Sequence, residues 1–226
     1  MGLRFGVHYV SITNRALATA TPSFFYARLG KRTFDLTAAA LLLTLSLPLI
    51  ALLALLLRCQ GGPAFFVHER IGLSGRRFGC LKLRTMVPNA ERMLADHLQR
   101  YPAAAREWAE GRKLTNDPRV TRFGQLLRRT SLDELPQLWN VIRGDMSLVG
   151  PRPVTHEELD RYDQDVWAYL ALRPGITGLW QVEARTCGCY VQRVACDRRY
   201  ALTLGFRGDL TLLVRTAGAL FSKTGS

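Results

Sequence analysis

Residues 36–57 read LTAAALLLTLSLPLIALLALLL, a stretch of 22 residues that contains no charged side chain. About 20 predominantly apolar residues are enough for a helix to cross the hydrocarbon core of a bilayer. The stretch therefore predicts one membrane-embedded helix near the N-terminus. It also separates this apolar anchor from the polar, arginine-rich body that begins after Gly61-Gly62-Pro63.

Pro48 lies inside the apolar stretch. Proline lacks a backbone N–H and its ring clashes with the preceding turn, so the helix is predicted to kink or break there. Basic residues flank both ends of the stretch: Arg28, Lys31, Arg32 and Arg58. Because basic flanks favour the cytoplasmic face, the residues fit a re-entrant hairpin and a simple span with a tolerated proline equally well.

The chain carries 31 Lys and Arg residues against 18 Asp and Glu residues, a formal net charge of +13. Such an excess implies an anionic partner, which composition alone leaves open among nucleic acid, phospholipid and a phosphorylated substrate. A hydrophobic content of 48% excludes a wholly disordered chain. Two hypotheses follow: a membrane-anchored basic binding module, or an enzyme that acts on phosphorylated substrates.

The body is predicted to be mainly helical with one small β-hairpin. Short apolar or alternating runs at 64–67 and 78–83 flank the turn signals Gly72 and Ser74-Gly75, which is typical of a hairpin. Hydrophobic periodicity predicts helices over 89–110, 121–129, 135–143, 155–172, 191–204 and 209–221. The last has an apolar face beside Arg207, Arg215 and Lys223, which suits either an anionic membrane surface or packing against the core.

Residues 128–153, RRTSLDELPQLWNVIRGDMSLVGPRP, concentrate groups that handle phosphate. Pro136 is best accommodated in a first turn, so a helix is predicted to begin near Leu135 with Asp133 and Glu134 at its N-terminus. An ionised aspartate is a competent nucleophile, and adjacent carboxylates suit Mg²⁺. Simple capping of the helix by an acidic residue is the alternative.

Arginines accompany this carboxylate pair. Arg128 lies five residues upstream of Asp133, and Arg152 lies between Pro151 and Pro153. A guanidinium group offers a planar fork to phosphate oxygens, and the two prolines are expected to hold Arg152 in a stiff, extended segment. Carboxylates among guanidinium groups favour phosphoryl transfer over capping alone.

The string SLDELPQLWNVIRGDMSLVGPRP, residues 131–153, closely resembles the signature of the bacterial sugar transferase family, the monotopic polyprenyl-phosphate phosphoglycosyl transferases. The resemblance covers about residues 28–222. It includes Lys31-Arg32, Glu69-Arg70-Ile71-Gly72, Lys82-Leu83-Arg84-Thr85-Met86, Asp117-Pro118-Arg119 and Arg173-Pro174-Gly175-Ile176-Thr177-Gly178-Leu179-Trp180-Gln181.

This resemblance implies the chemistry of an undecaprenyl-phosphate hexose-1-phosphate transferase. Asp133 attacks the β-phosphate of a UDP-sugar, UMP leaves, and polyprenyl phosphate takes the phosphosugar from the covalent intermediate. Asp133 and Glu134 then hold Mg²⁺, and Arg128 and Arg152, with Pro151 and Pro153 around the latter, bind phosphate. The implied partners are the UDP-sugar, the polyprenyl phosphate and an anionic phospholipid membrane, with no nucleic acid; a homodimer is left open.

The resemblance also implies how the chain is organised. Residues 1–27 are a flexible lead, residues 28–60 a re-entrant membrane helix bent at Ser46 and Pro48, and residues 61–226 a compact cytosolic catalytic domain with amphipathic surface helices. Both ends of the helix then face the cytoplasm at the bacterial inner membrane, where surface glycan synthesis starts.

Three further basic residues are predicted to bind substrate. Lys82 and Arg84 are candidates for contacts with the nucleotide, although surface charge on the hairpin explains them nearly as well. Arg185 lies in the segment 183–189, Glu-Ala-Arg-Thr-Cys-Gly-Cys, where the family usually has a Gly-Arg-Asn type sequence. The lost glycine removes a freely positive φ angle, so an altered loop, altered sugar choice or altered catalysis is expected there.

Overall fold

A computed structural model describes residues 26–111, 114–183 and 189–221 of the chain. Most of the predicted N-terminal lead, residues 184–188 of the altered segment with Arg185, and Lys223 lie outside these residues. Within them the protein is mostly helical, with one antiparallel hairpin and one short parallel strand pair. The predicted mainly helical fold with a small hairpin is confirmed.

Helix α1, Lys31–Cys59, contains the whole apolar stretch and follows a π-helical turn, Tyr26–Gly30. It continues without interruption through Pro48, so the predicted break is wrong, while a kink at Ser46 and Pro48 stays a prediction. Local hydroxyl groups bind the helix backbone before the proline, as Ser46 Oγ does by donating to the Leu43 carbonyl at 3.3 Å. Such contacts help an apolar helix to tolerate proline.

Both ends of α1 pack against the body, whereas its middle is exposed. Ala39 joins the main hydrophobic core, and Leu53 and Leu57 pack on Leu83 and Leu127. Between these ends, leucines at positions 41, 42, 45, 47 and 49 are exposed. In the described residues, α1 is the one helix that is long and apolar enough to cross a membrane. An exposed leucine surface of this size indicates a membrane environment.

The predicted hairpin consists of β1, Phe65–Ile71, and β2, Arg77–Leu83, paired antiparallel from Phe65 opposite Leu83 to Ile71 opposite Arg77. A 3₁₀ turn, Leu73–Gly75, connects the strands. Strand β1 extends four residues beyond the predicted run, because its last residues also pair: the Ile71 amide donates to the Val154 carbonyl at 2.9 Å. The hairpin is thereby joined to the segment that carries Arg152.

The remaining helices are short. They are α2 Ala90–Arg100, α3 Pro102–Gly111, α4 Arg122–Arg129, α5 Gln137–Arg143, α6 His156–Leu159, α7 Val166–Leu170, α8 Leu179–Glu183, α9 Tyr190–Thr203 and α10 Phe206–Phe221. The single helix predicted over 89–110 is two helices, since Pro102 starts a new one. The helix predicted over 155–172 is interrupted by a 3₁₀ segment, Asp160–Asp165, in which Asp163 has φ 43°.

A parallel strand pair, β3 Ser147–Val149 and β4 Gly175–Thr177, was not predicted. The two strands are three residues each, too short for a periodic pattern. Gly150 and Gly175 allow their close approach: a Cβ on Gly175 would lie 2.1 Å from the Gly150 nitrogen. The main core gathers around β3, between α1, α5, α9 and α10, through residues such as Val141, Met146, Val149 and Leu212.

Helix α10 has a buried face and an exposed face, so packing on the core is confirmed and contact with a membrane surface stays a prediction. Asp209 and Leu212 are buried against the core, whereas Leu210 and Val214 are exposed. Packing on the core is thus established, and an apolar face remains for a membrane surface.

Candidate active site

The carboxylate pair lies between α4 and α5. Asp133 and Glu134 end a 3₁₀ turn, Leu132–Glu134, which begins after Ser131 in the left-handed region at φ 55°. The pair therefore precedes α5 by a full turn instead of occupying its first turn, because Leu135 and Pro136 extend the loop. The predicted start of the helix near Leu135 is two residues early.

Asp133 is the more buried member of the pair, with 7% of its surface exposed. Burial raises the pKa of its carboxyl group above the usual range; Lys82 and Arg128 oppose this rise, and Glu134 adds to it. A desolvated carboxylate is a stronger nucleophile than one in bulk water, because fewer hydrogen bonds to water must be broken when it reacts. The charges of Lys82 and Arg128 favour its ionised form. The environment of Asp133 is therefore suited to covalent chemistry.

Glu134 is fixed by the hairpin. Lys82, on β2, donates from Nζ to Glu134 Oε1 at 2.6 Å, and both side chains are largely shielded from solvent. Strand β2 is held to α5 by Asn140, whose Nδ2 donates to the Gly79 carbonyl at 2.8 Å and whose Oδ1 accepts from the Leu81 amide at 2.9 Å. The buried side chain of Asn140 thus fixes the position of Lys82 relative to Asp133 and Glu134.

Arg128 approaches the same carboxylates from α4. Its Nε donates to Thr85 Oγ1 at 2.9 Å, and its charge interacts with that of Asp133. Helix α4 comes this close to the chain after β2 because position 124 is glycine: a Cβ there would lie 2.0 Å from the Thr85 carbonyl oxygen. The predicted proximity of Arg128 to Asp133 is present in the structure.

The Pro151–Pro153 segment forms the opposite wall. The Gly175 amide donates to the Pro151 carbonyl at 2.8 Å, and Arg193 Nη2 donates to the Arg152 carbonyl at 2.8 Å. These bonds hold the backbone of the segment, and Arg152 lines a pocket. The pocket is lined by Arg70, Cys80, Lys82, Glu134, Gln137, Arg152, Pro153, Gly175 and Ile176.

The pocket joins four of the predicted site residues: Lys82, Glu134, Arg152 and Pro153. Asp133 and Arg128 adjoin Glu134 and Lys82 without lining this pocket themselves. Arg84 points elsewhere. It is buried, and its Nη2 donates to the Leu57 carbonyl at 3.0 Å, at the C-terminal end of α1. The structure therefore gives Arg84 a role in holding the membrane helix, and a contact between Arg84 and the nucleotide stays a prediction.

Sequence reasoning missed Arg70 and Gln137 as pocket residues. Arg70 Nη1 lies 3.4 Å from Glu158 Oε2, and Gln137 is almost fully buried. The available signal was a polar residue on the buried side of a helix. On α5 the apolar Trp139 is 49% exposed while the polar Gln137 is buried, so hydrophobic periodicity alone does not point to Gln137.

The acidic side chains of the site indicate how it could hold a divalent cation. In the residues that the structure describes, no group of three or more His, Cys, Asp and Glu side chains could hold a metal ion. Mg²⁺ commonly uses one or two carboxylates together with substrate phosphates and water, so the pair Asp133 and Glu134 fits that mode and does not form an all-protein cage. Magnesium at this pair stays a prediction.

Comparison with known proteins identifies the family. The family model described as Bacterial sugar transferase matches residues 26–223, a range that includes every residue the structure describes. The chain belongs to the bacterial sugar transferase family. The matched residues of this sugar transferase include α1, the hairpin and both walls of the pocket, which supports treating these parts as one functional unit.

Three curated proteins illustrate the relationship. The chain is 48% identical over 200 residues to a UDP-galactose-lipid carrier transferase of Erwinia amylovora, covering 88% of this chain and 42% of that protein. It is 44% identical over 222 residues to the exopolysaccharide production protein ExoY of Sinorhizobium fredii, covering 93% of this chain and 98% of that protein. It is 41% identical to a UDP-glucose:undecaprenyl-phosphate glucose-1-phosphate transferase of Caulobacter vibrioides, covering 86% of this chain and 70% of that protein. This sugar transferase thus spans less than half the length of some relatives and nearly all of others.

Proposed function

We propose that this chain transfers a hexose-1-phosphate from a UDP-sugar to undecaprenyl phosphate and releases UMP. The printed names of two relatives, a UDP-galactose-lipid carrier transferase and a UDP-glucose:undecaprenyl-phosphate glucose-1-phosphate transferase, support this reaction class. The observation that carries the proposal is the buried Asp133 carboxylate beside Lys82 and Arg128, next to a cation-lined pocket.

In the first step, an Asp133 carboxylate oxygen attacks the β-phosphorus of the UDP-sugar. A bond forms between that oxygen and phosphorus, the bond to the bridging oxygen of UMP breaks, and UMP leaves with the electron pair. Arg128, Arg152 and Lys82 supply positive charge for the phosphate oxygens, where negative charge accumulates. This step brings the Asp133 carboxylate and the diphosphate of the UDP-sugar together. Because both are negatively charged, basic side chains at the point of attack lower the activation barrier.

In the second step, a phosphate oxygen of undecaprenyl phosphate attacks the phosphorus of the aspartyl intermediate. The bond from Asp133 to phosphorus breaks, which regenerates the carboxylate and gives a diphosphate-linked sugar lipid. Dividing the transfer in this way lets the two phosphorylated substrates use the same cations in turn. Magnesium bound by Asp133, Glu134 and substrate phosphates would supply further charge neutralisation when present.

We also propose that α1 enters the membrane and returns to the same face. Near its N-terminal end, Lys31 donates to the Val149 carbonyl at 2.9 Å, and near its C-terminal end the Leu57 carbonyl accepts from Arg84. Both contacts join the helix to one folded body, which lies on one side of a bilayer. A full span would carry one end about 30 Å away across the hydrocarbon core. The catalytic body would then sit on the cytoplasmic face.

The reaction is tested by measuring UMP release with UDP-glucose, UDP-galactose and their N-acetyl derivatives, each with and without undecaprenyl phosphate. Donor alone should give UMP up to one equivalent of enzyme and a phosphosugar adduct on Asp133, detected by mass spectrometry of peptides. Asp133→Asn should lower turnover at least about 1000-fold, because an amide is a poor nucleophile. Membrane association should be unchanged.

Asp96→Asn, on the exposed surface of α2, is the matched control and should keep full activity. An adduct on a different residue, or UMP release by Asp133→Asn at the wild-type rate, would overturn the assignment of the nucleophile. If the adduct forms but none of the four donors is turned over with undecaprenyl phosphate, the chain carries out the first step and fails in the transfer to the lipid.

A further inference from the structure

A second cavity lies outside the pocket that contains Arg152 and Glu134. Its volume is about 300 Å³, and it opens between α8, the end of α9 and the first turns of α10. Leu179, Tyr200 and Leu212 contribute its apolar surface, and Arg207 and Arg215 lie at its rim. The two cavities share no lining residue, since β4 lies between them: Gly175 and Ile176 line the first. We call this second cavity the α10 groove.

The rim of the α10 groove is positively charged. Glu183 is the acidic residue among its lining residues, and it pairs with Arg199 and with Arg215, the latter at 3.6 Å. Arg207 is exposed and, in the described part of the chain, forms no ion pair. Two arginines, Arg207 and Arg215, and one carboxylate, Glu183, therefore line the groove, and that carboxylate is already paired with Arg199 and Arg215. This imbalance favours an anionic ligand over a zwitterionic or neutral one.

The α10 groove also lies beside the membrane helix. Phe206, the first residue of α10, packs edge-on against Phe34 of α1, with ring centroids 5.5 Å apart. From there Phe206, Leu210 and Val214 recur every fourth residue and are exposed. Residues four apart share one face of a helix, so this stripe continues the apolar surface of α1 along α10. If α1 enters the bilayer as proposed above, the groove lies beside the point of entry.

We propose that the α10 groove binds one anionic glycerophospholipid of the surrounding membrane. Its phosphate lies between Arg207 and Arg215, which are two turns apart, about 12 Å along the axis, a gap that two extended arginine side chains close around one phosphate group. One acyl chain covers Leu179 and Leu212 and joins the hydrocarbon around Leu210 and Val214. The bound lipid fixes α10, and with it β4 and the neighbouring pocket, at a set height above the bilayer.

The proposal is tested in nanodiscs of phosphatidylcholine that contain phosphatidylglycerol with a photoreactive group on one acyl chain. After irradiation, peptide mass spectrometry should place labels within residues 203–215. Arg207→Gln with Arg215→Gln should reduce labelling there roughly 10- to 30-fold, as expected for two lost contacts between basic residues and an anionic lipid. The control pair Arg92→Gln with Arg106→Gln removes the same charge from exposed positions on α2 and α3 and should leave labelling unchanged.

A second variant separates the groove from general attraction to the membrane. Gly208 lines the groove, and a Cβ there meets no atom within 4 Å, so Gly208→Phe should fill the groove without a backbone clash and abolish labelling. Gly218→Phe, at an equally open position of the same helix outside the groove, should have no effect. The measurement reads lipid binding alone, so it is independent of the transfer reaction.

Two results would overturn the proposal. Labelling spread evenly along the exposed stripe and unaffected by Gly208→Phe would show nonspecific contact with the bilayer. Displacement of the photoreactive lipid by stoichiometric undecaprenyl phosphate, with no displacement by excess unlabelled phosphatidylglycerol, would show that the groove belongs to the acceptor substrate.

Discussion

Asp209 and Asp133 are both buried carboxylates, yet their surroundings differ. Asp209 is 0% exposed and accepts hydrogen bonds from Lys31 Nζ at 2.7 Å, Tyr200 OH at 2.7 Å and Tyr26 OH at 2.8 Å. Asp133 is 7% exposed, and no side chain in the described ranges donates a hydrogen bond to it. Its positive neighbours, Lys82 and Arg128, are bonded to Glu134 and Thr85 instead.

The contrast distinguishes the structural carboxylate of Asp209 from that of Asp133, which we propose reacts with phosphorus. The oxygens of Asp209 are saturated, which joins the N-terminal end of α1 to α10 and leaves little capacity for a ligand. The oxygens of Asp133 have charge nearby but spare lone pairs, so they remain available to phosphorus or to a cation. Burial alone therefore does not separate the two carboxylates, whereas the hydrogen bonds that they accept from side chains of the described residues do.

The largest effect on stability is expected at Asp209. Asp209→Asn removes the carboxylate that accepts a hydrogen bond from the buried Lys31 ammonium group and leaves Asp35 as an acidic side chain that interacts with this charge. The loss should destabilise the protein by about 3–5 kcal/mol. Thermal unfolding of the detergent-solubilised protein at pH 7 measures the loss as a lower Tm. The control is Glu69→Gln, which breaks the exposed pair with Arg77 and should cost about 0–1 kcal/mol. Equal Tm values for the two variants would show that Asp209 contributes no more to stability than an exposed ion pair.

A third buried carboxylate, Asp197, should make stability depend on pH. Burial raises its pKa to about 6, while Tyr162, which donates a hydrogen bond at 2.6 Å, and Arg193 oppose the rise. Because the pKa is higher in the folded state than the ordinary value near 4, this group's contribution to stability is complete below about pH 4 and is lost as pH rises through 6. The loss should approach about 3 kcal/mol by pH 8.

Asp197→Asn tests this dependence, since an amide oxygen still accepts from Tyr162 but carries no charge. Its Tm should exceed that of the wild type at pH 8 and match or fall below it at pH 5. Asp160→Asn, at an exposed position, should follow the wild-type profile at both values. If Tm depends on pH in the same way for Asp197→Asn and the wild type, Asp197 is not the source of the pH dependence.

The smallest effect on stability is expected at Asp133 itself. Asp133→Asn removes a buried charge to which no side chain of the described residues donates a hydrogen bond, so the unfolding free energy should stay within about 1 kcal/mol of the wild type or increase. Asp133→Asn should therefore lose turnover and keep its stability, whereas Asp209→Asn should lose stability. A marked drop in Tm for Asp133→Asn would make Asp133 a structural carboxylate like Asp209.

Much of the architecture could be predicted from local pattern. The apolar stretch, the hairpin at β1 and β2, and the helices at α4, α9 and α10 all have a clear period and distinct ends, and they lie within a few residues of their predicted bounds. The site was harder. Asp133, Arg128 and Arg152 stand out by residue type, whereas Arg70 and Gln137 were missed because only the folded chain turns them toward the pocket.

The amino-acid sequence by itself determined the membrane helix, the mainly helical body and the family, because hydrophobic length, periodicity and motif spacing are properties of neighbouring residues. Tertiary structure decided the rest. The parallel pair β3–β4, the attachment of both ends of α1 to one body and the different bonding of Asp133 and Asp209 all depend on contacts between residues far apart in the chain. Such contacts leave no local period, since the groups that saturate a buried carboxylate are brought to it only when the chain packs.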